Sequence, residues 1–450
     1  MYIHRHLASR HLIDILSSMG VCASYSEARR YEASAMIDNQ QTISEESFKQ
    51  FVFDNADFNI RTLDGYGTFH SMGGVMCVTP ASGVKLPSDE RIKTCPPAER
   101  LATVNKVKLH RYTAPNSKGI GGITVEDPAE IRCLEAANSV HLFLDLLWMS
   151  GSWLSLPKNP GSSGYMELVT KGITDYQTSK VITLPFVNLP PSSLDTIYSV
   201  LAFAVNECKR YGQQTCFVTF DQPLYEKAVN MVASSASNSD LSSVIVRLGG
   251  FHLLMSFMGA VGYIMGGSGL KELWSLIYAV DSIEKMLNGH AYARALRAHF
   301  LTHLALTVFI LRKLEIDDSV REQIFSLHES VMNKGVSPVD AAESPALVSV
   351  MEKMEAVKHS ASCESRTATL WIQYMNQVML MHDFVRAERC GDWKLHLQAI
   401  RKMLPHFHAS AHLAYAKCAH LYLQQMSTLE GHYCRNSFNK TGSRCERSGA

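Results

Sequence analysis

The stretch from Cys216 to Met258 constrains the fold of this chain more than any other. It begins with CFVTF, a short apolar run that predicts a buried strand, and a helical pattern starts near Pro223. A second apolar run, VIVRL, ends at two glycines and is followed by another helical pattern. Two strands joined by a crossover helix run parallel. Asp221 and His252 are therefore predicted at one edge of a sheet, just beyond the carboxyl ends of its strands.

The composition allows a large folded core and excludes some classes of protein. The 450 residues are enough for two or three domains, and 46% of them are hydrophobic. Lys and Arg number 43 against 42 Asp and Glu, so the chain is not a polycation and any contact with nucleic acid is local. Eleven cysteines without a CxxC pair favour reduced thiols, and the N-terminus lacks the apolar core of a signal peptide. These features predict an intracellular protein of the nucleus or cytoplasm.

The patterns along the chain predict an α/β fold with a mixed sheet, large helical insertions and a mostly helical C-terminal half. The predicted parts are a short helical segment at 1–48, a sheet core at 49–265 with an insertion at about 80–180, helices at 266–426 that complete the core, and a mobile polar tail at 427–450. The segment 248–270 has no Lys, Arg, Asp or Glu and is long enough to span a bilayer. It contains His252 and follows a strand pattern directly, so a buried helix and no membrane partner are predicted.

The first sheet signal lies in the segment FVFDNADFNIRTLDGYGTFHSMGGVMCVTP. The apolar run Phe51–Phe53 ends in Asp54, and Asp57 follows three residues later. Asp64-Gly65 is a turn dipeptide between Ile60–Leu63 and Thr68–His70, and Val75–Val78 is a further strand candidate. Three meandering strands are predicted here, the first of them ending in an aspartate. A separate strand is predicted at Val181–Phe186.

A carboxylate lies in register with the apolar stripe of the helix predicted after Ser365. The stripe keeps the spacing of one buried helix face, and extending it by three residues reaches Glu388. Its apolar members are Leu370, Tyr374, Val378, Met381 and Val385. A glutamate on a buried face needs a partner or a metal ion. The alternative is that the helix frays before Gly391 and that Glu388 pairs with Arg386, Arg389 or another neighbour.

Asp54, Asp221 and Glu388 follow one another as strand end, strand end and helix, an order that resembles the ribonuclease-H-like nucleases and transposases. The resemblance implies that the three carboxylates hold Mg²⁺ or Mn²⁺, with Asp57 as the alternative to Asp54, because hard cations clamp the reacting oxygens of a phosphodiester. His252 would orient a phosphate or shuttle a proton. Each residue also has a structural interpretation: the aspartates as turn or cap residues, and His252 as a core histidine.

Longer motifs carry a second resemblance. They are FVFDNADFNIRTLDGYGTFHSMGG, VTFDQPLY, GGFHLLMSFMGAVGYIMGGSGL, ARALRAHFL, FVRAERCGDWKLHLQAIRKMLPHF and YLQQM. Together they resemble a transposon-derived family of animal genomes, itself similar to the cut-and-paste transposases of the Kyakuja-Dileera-Zisupton type with a ribonuclease-H-like core. The resemblance implies DNA as the partner, metal-dependent phosphodiester cleavage or strand transfer as the reaction, and a homo-oligomer. The chain begins at the short helical segment, so the alternative expectation is a catalytically silent, host-retained remnant that acts as an interaction protein.

Overall fold

The computed structural model describes residues 9–37, 42–59, 68–85, 106–127, 140–156, 159–170 and 177–432, and the single positions 3, 95, 97 and 131. The chain divides into two compact units. The first comprises Met1–Ser117, Thr178–Val218 and Ser234–Ile245. The second comprises Lys118–Gln177, Thr219–Ala233 and Val246–Ala450.

The described residues form strands early in the chain and helices almost throughout its second half. The strands are β1 (Thr42–Ile43), β2 (Phe48–Asn59), β3 (Thr68–Thr79), β4 (Val84–Lys85), β5 (Lys180–Thr183), β6 (Cys216–Phe220) and β7 (Val244–Leu248). The helices are α1 (Arg10–Ser18), α2 (Tyr25–Ile37), α3 (Val140–Trp153), α4 (Ser162–Thr170), α5 (Leu194–Arg210), α6 (Gln222–Ser234), α7 (Gly250–Ile264), α8 (Leu270–Ser275), α9 (Val280–Leu287), α10 (Tyr292–Lys313), α11 (Asp318–Met332), α12 (Pro338–Ala342), α13 (Pro345–Glu364), α14 (Arg366–Cys390), α15 (Trp393–Ala409) and α16 (Leu413–His432). The α/β class with a mostly helical C-terminal half is confirmed.

The main sheet has five strands in the order β5-β3-β2-β6-β7. Strand β3 pairs antiparallel with β2 on one side and with β5 on the other. The backbone N–H of Gly249, directly after β7, donates to the carbonyl of Phe220 at the end of β6 over 2.7 Å. Neighbouring strands whose carboxyl ends meet run parallel, and α6 is the crossover between them. The mixed sheet and the parallel pair predicted from Cys216–Met258 are therefore confirmed.

The antiparallel part of the sheet differs from the predicted meander. Strands β2 and β3 have 12 residues each and pair along their whole length. The prediction that Asp54 ends its strand is wrong, because cross-strand pairing with β3 keeps the polar stretch DNADFN extended as far as Asn59. Val75–Val78 is part of β3, and the third strand of this ladder is β5, which overlaps the run predicted at Val181–Phe186 but begins at Lys180 and ends at Thr183. The predicted turn at Asp64-Gly65 lies outside the described residues.

The second unit is built around α14, a helix of 25 residues that is buried along most of its C-terminal half. It packs against α15, α13, α10 and α7. Another apolar cluster joins α3 to the four helices α10, α11, α12 and α13. Its buried residues include Leu146, Leu311, Ile324 and Leu347. Helix α16 continues to His432, so the predicted polar tail starts as a helix, and its remainder lies outside the described residues.

The apolar segment that suggested a membrane span forms α7, which buries Leu253, Leu254 and Phe257 and packs against α14 and α15. Within the described part of the chain, α10 alone is long and apolar enough to cross a bilayer by length and composition. This is weak evidence, because a core helix of a soluble protein passes the same test. Helix α10 also buries His299 and His303.

Candidate functional site

Asp221 lies directly after β6 and caps the helix that follows. Its Oδ1 accepts a hydrogen bond from the backbone N–H of Leu224 at 3.3 Å, and its carbonyl oxygen accepts one from Tyr225 N–H at 2.8 Å. The negative charge therefore lies at the positive end of α6, where it stabilises the helix. The capping interpretation of Asp221 is confirmed. Its assignment as a metal ligand stays a prediction.

Two glycines after β7 bring the backbone close to both Asp221 and Glu388. A methyl group added to Gly249 would lie 3.1 Å from the carbonyl oxygen of Phe220 and 3.8 Å from the backbone nitrogen of Asp221. A methyl group added to Gly250 would lie 3.1 Å from Oε1 of Glu388. Asp221 and Glu388 thus lie around the same pair of glycines, at the carboxyl ends of two parallel strands.

Glu388 points into the protein, as the apolar stripe predicts, and the helix does not fray before it. Its Oε1 lies 2.7 Å from Nδ1 of His396 on α15. A left-handed Gly391, with φ of 66°, ends α14, and Asp392 caps α15 by accepting from Leu395 N–H at 3.0 Å. This tight connection turns the chain back so that His396 faces Glu388. Of the alternative partners, Arg386 forms an ion pair with Asp145, and the contact of the Glu388 carboxylate is with His396.

His396 is itself held on several sides. Its Nε2 lies 3.1 Å from the hydroxyl of Tyr422 on α16. The indole of Trp393 stacks on its ring with centroids 5.3 Å apart and 11° between the planes, and Phe384 packs against it at 5.3 Å. When Nδ1–H donates to Glu388, Nε2 accepts from the phenol of Tyr422, so both ring nitrogens have partners. The Glu388 carboxylate is thereby fixed by a buried chain of hydrogen bonds.

An aromatic ring contacts His252, which lies in the first turn of α7 and is half-buried. The neighbouring Phe251 ring meets the His252 ring edge-on at 5.4 Å and lies 4.6 Å from the ring of Tyr292. Burial raises the pKa of the Tyr292 phenol, and the nearby charge of Arg389 lowers it while that of Glu388 raises it. The Tyr292 phenol is therefore within electrostatic range of both charged residues.

The two aspartates predicted on the first strand lie on β2 in the first unit, and both side chains are exposed. Asp54 stands opposite Gly73 of β3, and its Oδ1 accepts from the backbone N–H of Asn55 at 2.7 Å. Asp57 pairs with His70, Oδ1 to Nδ1, at 2.8 Å. Positions three apart on a strand project to opposite faces of the sheet, so these two side chains are alternatives and not joint members of one site.

The donor atoms around the glycine pair suit a hard cation in type. Asp221 and Glu388 offer carboxylate oxygens, the ligands that Mg²⁺ and Mn²⁺ prefer. Each carboxylate also has at least one oxygen in a contact with the protein itself. Among the residues that the structure describes, no three or more His, Cys, Asp or Glu side chains are grouped as a metal site would require. The metal ligands stay a prediction.

Sequence reasoning missed His396, Tyr422, Tyr292 and Phe251. The inward positions of α15 include His396 beside Trp393 and Leu397, so a histidine on a buried helix face was a usable signal. Tyr422 and Tyr292 had no comparable signal, because a tyrosine in an apolar helix pattern predicts only a residue of the hydrophobic core.

Comparison with protein-family models finds one family that matches residues 161–445, which is more than half of the chain. Its description is Domain of unknown function (DUF8702). The matched residues include Asp221, His252 and Glu388. Neither the curated proteins nor the solved structures yield a match. The chain belongs to the DUF8702 family.

Proposed function

We propose that this DUF8702 protein is a transposase-derived protein with a ribonuclease-H-like fold that cleaves or joins DNA phosphodiester bonds with the help of Mg²⁺ or Mn²⁺. The sheet supports the fold part of the proposal, since an antiparallel ladder is followed by a parallel β-α-β pair and β2 neighbours β6. The resemblance of the long sequence motifs supports the transposase origin.

The position of Glu388 is the observation that carries this proposal. Glu388 is far along the chain from Asp221 and lies on a different element, yet its carboxylate lies against Gly250, and the backbone nitrogen of Asp221 lies close to the neighbouring Gly249. Two carboxylates at the carboxyl ends of parallel strands form the kind of edge at which α/β proteins place their chemistry. Asp54 enters as a further ligand from the resemblance alone, with Asp57 as its alternative.

In this proposal the side chains of Asp221 and Glu388 would supply oxygen ligands to the cation. Its chemistry there would be to polarise the phosphodiester and to favour deprotonation of the attacking hydroxyl or water. His396 and Tyr422 hold the Glu388 carboxylate in one orientation, as supporting groups around metal ligands do. His252, in the first turn of α7, orients a phosphate oxygen of the substrate.

A nicking assay tests the proposal. Purified full-length protein is incubated with supercoiled plasmid DNA and Mn²⁺, beside the variants Asp221→Asn and Glu388→Gln. The variant Asp281→Asn, which changes an exposed aspartate on α9, is the matched control. We expect nicking by the wild type and the control and its loss in both site variants. Equal nicking by the wild type and Asp221→Asn would contradict the proposal.

A second candidate function is a catalytically silent interaction protein, and the contacts of the two carboxylates favour it. Asp221 has a structural role as a helix cap, and Glu388 has one as the partner of His396. On this alternative, the wild type shows no nicking and its melting temperature does not change with Mn²⁺. A rise in melting temperature with Mn²⁺ that Asp221→Asn abolishes would contradict it.

A further inference from the structure

An exposed aromatic ring lies next to the candidate site. Phe251 follows Gly250, the residue against which the Glu388 carboxylate packs. Although it belongs to a helix whose following residues are buried, 46% of Phe251 remains exposed. A large apolar ring therefore lies partly at the surface, one residue from the glycine that contacts Glu388.

Three helices meet around this ring. Phe251 lies in the first turn of α7, Tyr292 begins α10, and Arg389 lies in the last turn of α14. The rings of Phe251 and Tyr292 lie 4.6 Å apart with 52° between their planes, and the His252 ring meets Phe251 edge-on at 5.4 Å. Beside these two contacts 46% of Phe251 stays exposed. Arg389 is exposed and its charge acts on the Tyr292 phenol. A flat apolar surface and a cation are thus brought together beside Glu388.

We propose that Phe251, backed by Tyr292, is a stacking surface for an unpaired base of single-stranded DNA, and that Arg389 contacts the adjacent phosphate. The proposal rests on the proposed function for its location, since the stacked base would belong to the strand whose phosphate reaches Asp221 and Glu388. It adds that the substrate has an unpaired base at the site.

The chemistry of the three residues favours a base over other occupants. Every base has a flat π-face that stacks on an aromatic ring, and such stacking is tolerant of sequence. An arginine next to an aromatic ring matches the alternation of base and phosphate along a single strand. An apolar side chain of a peptide would contact Phe251 without needing a planar ring or a cation. A paired base in duplex DNA has no free face to offer.

A binding assay tests the proposal. The affinity of the full-length protein for a fluorescein-labelled oligothymidine is measured by fluorescence anisotropy at fixed low salt, with Ca²⁺ as the only divalent cation. The variants are Phe251→Ala, Phe251→Leu, which keeps apolar bulk without a flat ring, and Phe251→Trp, which keeps the ring. Phe309→Ala is the matched control, because Phe309 is 61% exposed and also has a cation over its ring, that of Lys313 at 5.8 Å. It lies on α10, about 25 Å along that helix from Tyr292.

We expect Phe251→Ala and Phe251→Leu to weaken binding at least about 5-fold, and Phe251→Trp and Phe309→Ala to leave it unchanged. Equal affinity of the wild type and Phe251→Ala overturns the proposal, as does equal weakening by Phe251→Ala and Phe309→Ala. Binding that Phe251→Leu retains points to an apolar peptide contact and also overturns it. A wild type that does not bind oligothymidine does the same.

The variant Asp221→Asn separates this proposal from the proposed function. We expect Asp221→Asn to have lost nicking, whereas the stacking surface is judged from the oligothymidine affinity of the Phe251 variants alone. If the wild type does not nick DNA but Phe251→Ala still weakens binding, the stacking surface stands and the nuclease function fails. If nicking depends on Asp221 but binding does not depend on Phe251, the nuclease function stands and the stacking surface fails.

Discussion

Two histidines are buried in the second unit, and they predict that the stability of the protein depends strongly on pH. Burial lowers the pKa of His299 on α10 and of His382 on α14 from 6.5 to about 3. The Nδ1 atom of His299 lies 3.0 Å from the hydroxyl of Tyr374, and the His382 ring stacks on Phe300 with centroids 3.6 Å apart. For His382, the charge of Arg386 lowers the pKa further and that of Asp383 raises it.

The direction of the effect follows from proton binding in the two states. Below pH 6.5 the unfolded chain binds a proton at each ring, whereas the folded chain does so only near pH 3. The free energy of unfolding therefore falls as the pH drops from 6.5 toward 3. Each ring contributes roughly 1.4 kcal/mol per pH unit in this window, or roughly 2 kcal/mol at pH 5. The two rings together cost roughly 4 kcal/mol, a large part of the stability of a typical domain.

Urea denaturation at pH 8 and pH 5, followed by circular dichroism, measures this loss. In His382→Leu we expect the loss between the two pH values to be smaller than in the wild type by roughly 2 kcal/mol, whatever the variant does to stability at pH 8. In His359→Gln, which changes an exposed histidine on α13, we expect the wild-type loss. A His382→Leu protein that loses as much stability as the wild type would refute the reasoning.

Two further predictions concern buried contacts of carboxylates in the second unit. His396→Ala removes the hydrogen-bond partner of the Glu388 carboxylate and should lower the free energy of unfolding by about 1.5–3 kcal/mol, measured in urea at pH 7. A loss below about 1 kcal/mol would contradict a stabilising contact between the two residues. Arg386→Met leaves Asp145 unpaired and should lower the free energy of unfolding by about 3–5 kcal/mol. The double variant that also carries Asp145→Leu should recover most of that loss. A double variant no more stable than Arg386→Met would contradict the pairing.

The sequence predicted the half of the candidate site that depends on neighbours along the chain. Asp221 was found because an apolar run, an aspartate and a proline follow one another directly, and that order is typical of a strand, a cap and a helix. The inward direction of Glu388 was found because helix periodicity extends the apolar stripe to it. Both predictions needed only a few consecutive turns of chain.

The partner of Glu388 was not predictable in the same way. The sequence offered Arg386, Arg389 or another neighbour as the partner, but Arg386 pairs with Asp145 on α3, and His396 on α15 lies beside Glu388. His396 reaches Glu388 only because α15 folds back after Gly391 and because Trp393, Phe384 and Tyr422 hold its ring. The same holds for Asp54, whose strand continues only because β3 pairs with it.

The sequence by itself determined the class of fold, the parallel pair around Asp221 and the helical second half, because turn residues, caps and hydrophobic periodicity act between close neighbours. Only the tertiary structure decided that β5 joins the ladder of β3, that Gly250 admits the carboxylate of Glu388 and that His396 fixes it. These contacts join residues that are distant along the chain. Their geometry is set by the packing of many side chains at once, which no short stretch of sequence contains.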